Sequence, residues 1–466
     1  MNKYNALYEY IDQHEEDIIK DLMAASRIPS ESVNGAEIEP FGQPCKDVLD
    51  HMLQRGNEEH FETQNYEYYA GSITYNVGQK EDIGLLAHLD VVPAGDGWTV
   101  TEPYNPVYKD GFIFGRGCSD NKSGAIGSFY IMKALQANNV KTNHNIKLLL
   151  GCNEEVGMAD MEYFVQHYPT PKFTIVPDAG FPGCCGEFGR IRYTLTSDNT
   201  LSDDFVSLNA GSAFNIIPNK ATAVVKKGVF NLDLLPNDIE TEETHEGVKL
   251  TASGMQCHAA YPEGGKNAIK VLTSALLHLN LSENDRKILT FIDNVNRDYY
   301  GTFLHIDRTD DVSGQTISSG TVLRFDKGHV SLLNDCRYCV TDNGDRLEEV
   351  IRGICAENGY SVKVNEKTSG SYIDKNGKEI STIRDVYQKE TGDTESVIGI
   401  MKGGTYAGCI PNAMATGICL RQTPLPEYIP AGHGSVHGPD ECLCVKDFIA
   451  GIKLLMTMLL ELDATI

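Results

Sequence analysis

The chain has 466 residues, 41% apolar and 23% charged, an ordinary balance for a globular protein with room for two or three domains. Acidic residues outnumber basic ones by 65 to 40, a formal net charge of −25. That excess argues against nucleic acid or an anionic membrane surface as partner, since both recruit Lys and Arg.

Residues 4–26 are predicted to form a helix, with Ile11, Ile18, Ile19 and Leu22 on one face. No apolar signal core is visible there, and no apolar run of about 18 residues follows, so neither a secretory signal nor a membrane span is expected. With 13 scattered cysteines, this reads as a cytoplasmic protein with reduced thiols. Cys184-Cys185 and the Cys336/Cys339 pair lack a second CxxC or a His pair to complete a zinc site, and are read as core or strand thiols.

A second helix is expected over 45–56 and paired strands over 66–77. Strand 83–87, helix 122–137, strand 146–150, helix 158–167 and strand 173–176 then follow with short links, the βαβ pattern of a parallel sheet. After residue 186 the style changes. Alternating β segments fall at 190–196, 222–227, 249–254, 316–325 and 329–339, with helices near 266–280 and 345–358. From 371 the signals return to strand plus loop, with a strand near 396–400 and an apolar helix over 446–461. The expected fold is α/β: one domain of residues 1–186 plus 371–466, with a mixed, largely parallel sheet flanked by helices, interrupted by an α+β domain over 187–370.

The chemistry sits where strands end. Strand 83–87 runs into His88 and Asp90, strand 146–150 into Glu154-Glu155, and strand 173–176 into Asp178. Asp120 lies between the first two, after the pliable Gly115-Arg116-Gly117 and at the start of a helix. Ligands gather at the carboxyl ends of strands in such sheets. Carboxylates packed that close repel, and a cation relieves the repulsion. Two residues apart on a strand, His88 and Asp90 share a face, so one can bind metal while the other orients it. Of the adjacent acids Glu154 and Glu155, one can bind metal while the other stays free as a general base. Each acid alone reads as a cap or turn former; four such sites along one sheet edge point to a two-metal hydrolase.

The stretches AHLDVVPAGDGW, GRGCSDNKSG, NEEVGM, PDAGFP, HAAYPEGGKNA, GGTYA and HGPDE, in that order, resemble the aminoacylase/carboxypeptidase G/dipeptidase V family of dinuclear metallopeptidases, and most of all its dipeptidase V (Xaa-His or β-Ala-His dipeptidase) branch. The resemblance implies that His88, Asp120 and Asp178 hold one metal, and Asp120, Glu155 and His437 the other, with Asp120 bridging. It implies Glu154 as general base and then acid, Asp90 as the residue that orients His88, and His258 as the stabiliser of the oxyanion. The Asp120–Asn121 bond is expected to be cis. His433 competes with His437, which the acidic pair after it favours. Asn215 and Arg337, with Arg324 as a rival, resemble lid residues that grip the substrate. Gly403, Gly404 and Thr405 are candidates to offer backbone N–H groups to its carboxylate. Relatives usually carry Gly where Ser123 stands and often an acid where Gly180 stands.

The inserted domain, about twice its counterpart in dimeric relatives, then implies a monomer whose lid covers its own site. The expected function is hydrolysis of unblocked dipeptides at two divalent ions, Zn2+ or Mn2+ with Co2+ also suited to the ligand set. An N-acyl amino acid amidohydrolase or an aminotripeptidase shares this chemistry. A metal-binding scaffold without turnover is the alternative from another class.

Overall fold

The computed structural model describes residues 3–35 and 39–466. The chain divides into two compact units, Met1–Gly186 with Tyr372–Ile466, and Glu187–Ser371. Each has its own hydrophobic core.

In the first unit the central sheet runs in the order Glu62–Tyr66, Ala70–Tyr75, Asn145–Gly151, Asp82–His88, Phe173–Val176 and Ala413–Ala415. The last four are parallel to one another, and Ala70–Tyr75 is antiparallel to Asn145–Gly151, so the sheet is mixed with a parallel centre. Asp82–His88 is buried at every residue but the first, as a central strand covered on both faces must be. Its apolar run is therefore continuous rather than alternating. Register pairs His88 with Gly151 and Leu85 with Ile175. The segments that follow these strands thus leave from one edge of the sheet.

Two helices seal this core. Lys122–Ala137 is buried from Lys122 through Leu135, and Val445–Thr465 along most of its length. The N-terminal segment is two helices, Asn5–Gln13 and Glu15–Ser26, that break at His14 (φ −106°, ψ 16°) rather than one. The stretch after 371, expected as strand and loop, holds the helix Lys378–Thr391.

The second unit is built on an eight-stranded antiparallel sheet. Gly189–Ser197 alternates strictly between buried and half-buried residues, the mark of a sheet with one covered face. Ala268–Leu276, Glu283–Val295 and Gly344–Glu357 supply Leu272, Leu289 and Ile351 to that core. All 13 cysteines are free thiols, and Cys336 and Cys339 are buried. Among the described residues no helix is long and apolar enough to cross a membrane.

Candidate metal centre

His88 is the last residue of its strand and is 1% exposed. Its Nδ1–H donates to the Asp90 carbonyl oxygen at 2.9 Å. That fixes the tautomer and leaves the Nε2 lone pair facing outward, 3.1 Å from Asp120 Oδ1 and 3.7 Å from Asp178 Oδ2. Asp90 therefore orients His88 chiefly through its backbone. Its carboxylate stands 3.5 Å from Nδ1 and accepts the N–H groups of Glu154 and Glu155 at 3.1 and 3.0 Å. The strand ends at His88, so strand alternation does not reach Asp90.

Asp120 is positioned from the far end of the chain. Glu441, fully buried, accepts the N–H groups of Ser119 at 2.9 Å and Asp120 at 3.1 Å through Oε1. Its Oε2 accepts the Gly117 N–H at 3.2 Å and pairs with buried Arg116 at 2.6 Å. Gly117 has φ +80°, and a Cβ there would stand 2.7 Å from a Val91 methyl, so any other residue would strain this turn. The Asp120–Asn121 bond is cis. Asn121 Nδ2 donates to Asp178 Oδ1 at 2.9 Å and to the Pro177 carbonyl at 2.6 Å. Ser123 is buried and donates to the Ser119 carbonyl at 2.7 Å, so its hydroxyl is absorbed locally.

The second oxygen of Asp120 looks the other way. Oδ2 lies 2.9 Å from His437 Nε2, which in turn lies 3.1 Å from Glu155 Oε1. His433 is engaged elsewhere: its Nδ1 is 2.7 Å from Asp440 Oδ2, and Asp440 also accepts the N–H groups of Thr99 and Val100. The structure thus brings His437, not His433, to Asp120.

The electrostatics follow from burial and crowding. Burial pushes the carboxyls of Glu154 and Asp178 well above their usual range, and neighbouring carboxylates add to it. Burial also works to raise Asp120, yet His437 and His88 hold it well below. Burial alone would lower His88, but Asp178, Asp120 and Asp90 outweigh it and raise it. Asp120 and then Glu155 lift His437 to about 10. Among the described residues, no Lys or Arg pairs with Asp120, Glu154, Glu155 or Asp178, and the Glu154 carboxylate takes no hydrogen bond. One donor atom each from His88, Asp120 and Glu155 lies within 4.8 Å of the others. Hard oxygen and imidazole donors converging without a basic partner fit divalent cations.

Some positioning residues are not legible in the sequence. Beneath the Glu154-Glu155 turn, Asp160 accepts the N–H groups of Cys152 at 2.7 Å and Asn153 at 2.9 Å. Tyr406 hydrogen-bonds the same carboxylate, tying the Gly403-Gly404-Thr405 segment to the acid turn. Gly404 is exposed, and the Thr405 side chain caps a 3-10 turn by accepting from Ala407 N–H at 3.1 Å. Asp160 lies in none of the stretches that carry the resemblance, and Glu441, the last residue of HGPDE, is placed in it without its partners, which only the fold fixes.

The candidates in the second unit lie close to one another. Ile216 pairs with His258, and the Asn215 carbonyl accepts the Ala259 N–H at 2.8 Å. His258 Nδ1 accepts the Ala260 N–H at 3.1 Å, which places the ring proton on Nε2. Partial burial and then the positive charge of Arg337 lower its pKa, so the ring is a neutral Nε2–H donor. Asp335 is buried between Arg192 and Arg337 and accepts from both Nε atoms at 3.0 Å. Arg324 instead donates to the carbonyls of Ala210, Leu323 and Gly211, which engages three of its five N–H groups.

Comparison with known proteins agrees with this reading. Residues 84–461 match peptidase family M20/M25/M40, and the chain belongs to that family. It is 29% identical over 97% of its length to a β-Ala-Xaa dipeptidase of Lactobacillus delbrueckii subsp. lactis, covering 97% of that protein. Human carnosine dipeptidase 1 shares the fold, with a TM-score of 0.60 at 14% identity, covering 100% of this chain and 99% of that one. So does an aminoacylhistidine dipeptidase from Vibrio alginolyticus, with a TM-score of 0.58 at 14% identity over 96% of each chain. The chain is a metal-dependent hydrolase of peptide bonds.

Proposed function

We propose that this protein hydrolyses unblocked dipeptides at a pair of divalent cations, Zn2+ or Mn2+ with Co2+ as a third candidate. One observation carries the reading. The two oxygens of Asp120 face different partners, His88 and Asp178 on one side, His437 and Glu155 on the other, while the Glu154 carboxylate stays unengaged. His88, Asp120 and Asp178 would hold one ion; Asp120, Glu155 and His437 the other. Ions so held polarise a carbonyl oxygen and acidify water.

The chain's own groups do the rest. Glu154 takes a proton from the attacking water as its oxygen bonds to the scissile carbon. It returns that proton to the amine as the C–N bond breaks. Asp90 keeps Glu154 and Glu155 apart by gripping their N–H groups. His258 presents Nε2–H to the oxyanion, a donor set in advance by the Ala260 N–H. Asn215, Arg337, Gly404 and Thr405 are assigned to the substrate, with Arg337 suited to its α-carboxylate because a guanidinium fork is bidentate.

Residues 187–370 are taken as a lid that limits substrate length, and the protein as a cytoplasmic monomer. Dipeptidase activity of the 29% identical Lactobacillus relative supports the substrate class. The test is a panel of dipeptides, tripeptides and N-acetyl amino acids with Mn2+, Zn2+ or Co2+. Dipeptides are expected to be the best substrates. Turnover of N-acetyl amino acids alone would make the protein an amidohydrolase, and of tripeptides alone an aminotripeptidase.

A further inference from the structure

A cavity of about 200 Å³ opens within the first unit beside the candidate ligands, lined by Asp120, Asn121, Asp178, Gly180, Ile418 and Arg421 among others. At Gly180 an added Cβ would meet nothing within 4 Å, so the wall there leaves room. Asp120 and Asp178 have their charge answered by whatever cations they hold. Arg421, an exposed residue of this wall, forms no ion pair or side-chain hydrogen bond among the described residues, so its guanidinium is held only by solvent.

Its placement is built. Asp447, in the first turn of the Val445–Thr465 helix and 4% exposed, accepts the N–H groups of Gln422 and Thr423, both at 2.7 Å. Its Oδ1 accepts the Thr423 hydroxyl at 3.0 Å, and its backbone carbonyl accepts the Leu420 N–H at 3.3 Å. Arg421 sits between these pinned neighbours with φ +53°, a conformation that costs free energy for a residue with a Cβ.

We propose that Arg421 is a specificity-determining residue and that the cavity it lines receives a carboxylate of the substrate. This rests on the dipeptidase reading above. Arg337 is already the candidate for the α-carboxylate, so a second cation fits a second carboxylate: the side chain of an Asp or Glu in the dipeptide. A planar fork at the mouth of a small cavity pairs with a carboxylate through two parallel N–H bonds, which a carboxamide of the same shape cannot match.

The experiment compares Asp-Ala with Asn-Ala, Ala-Asp with Ala-Asn, and Ala-Ala with Ala-Ala amide, in the Mn2+-loaded wild type and in Arg421→Met and Arg421→Lys. Wild type is expected to favour one acidic dipeptide over its amide isostere by about tenfold or more in kcat/KM, chiefly through KM. Arg421→Met should erase that ratio and Arg421→Lys keep part of it. If Arg421→Met instead weakens every free dipeptide but spares Ala-Ala amide, the carboxylate in the cavity is the terminal one, and the proposal stands with that source.

An unchanged ratio together with undiminished use of free dipeptides overturns it. A second readout needs no turnover: calorimetric titration of succinate into the Mn2+-loaded protein. Arg421→Met should weaken that binding by about tenfold or more; equal binding overturns the proposal. A wild type inert toward every dipeptide that still loses succinate on Arg421→Met would sink the dipeptidase reading and leave this inference in place.

Discussion

The carboxylate of Asp90 grips the backbone of Glu154: Oδ1 accepts the Glu154 N–H at 3.1 Å, while Oδ2 accepts that of Glu155 at 3.0 Å. One buried acid thereby sets the orientation of two others, the proposed base and a proposed ligand. Asparagine there supplies a single acceptor and turns an NH2 toward the remaining N–H. Asp90→Asn is expected to lower kcat by about 10–100-fold, in the range seen when the groups behind metal ligands are changed, with metal retained. Steady-state kinetics alongside elemental analysis checks it.

Glu154 is the group whose loss should separate chemistry from binding. Glu154→Gln removes the proton carrier without touching a ligand. Its kcat is expected to fall by about 10²–10⁴-fold at unchanged metal content. Activity near wild type would give the base to another residue.

The two histidines near the end of the chain should behave differently. His437→Ala removes a proposed ligand and should cut both metal content and activity. His433→Ala breaks a pair with Asp440 that lies outside the proposed ligand set and should leave metal content unchanged. Inductively coupled plasma measurement on both variants tells them apart.

Asp440 gives a pH signature. Burial works to raise its carboxyl, but His433, the Thr99 hydroxyl and the N–H groups of Val100 and Thr99 hold it down to about 2, below the 3.8 of a free Asp. Its folded-state pKa is depressed, so its contribution is fully present above about pH 4 and is lost as pH falls toward 2. Asp440→Asn should flatten the acid limb of a plot of thermal midpoint against pH between those values. An unchanged limb would show that this carboxylate does not drive acid unfolding.

Glu441 should matter for stability as much as for activity. It is buried with Arg116, and truncating one partner strands the other charge. Glu441→Ala is expected to cost about 3–5 kcal/mol, read by urea denaturation, and to loosen the Gly117–Asp120 turn enough to weaken metal binding. Arg116→Met should weaken metal less, because the three backbone N–H groups keep their acceptor.

Much of the first unit was legible because buried parallel strands leave continuous apolar runs, and the donors follow those runs directly. The ligand pairing was less so. Spacing along a strand suggested that Asp90 would face His88 with its carboxylate; that carboxylate stands 3.5 Å from His88 Nδ1, but the strand stops at His88 and the chain turns, so the same carboxylate also accepts the N–H groups of the acid turn. Periodicity could not see the break at His14, because Ile11 and Ile18 are seven residues apart and keep phase across it. The helix Lys378–Thr391 was hidden by its polarity: it buries only Ile380, Ile383, Val386 and Tyr387. Asp160 gave no signal, and Glu441 was legible only as the end of HGPDE without its role, because what defines both is a set of backbone N–H groups, and backbone groups carry no side-chain signature. In the second unit, Asn215, His258 and Arg337 were reached through likeness to a family, whereas Asp335, which fixes Arg337, needed the structure.

The central claim is that Asp120 joins two cation sites and Glu154 belongs to neither. Anomalous diffraction from crystals of the Mn2+-loaded protein, collected at the manganese edge, tests it most directly. Two peaks flanking Asp120, one beside His88 and Asp178 and the other beside Glu155 and His437, with Glu154 uncoordinated, are the predicted result. A single peak, or a metal ligated by Glu154, would contradict the account.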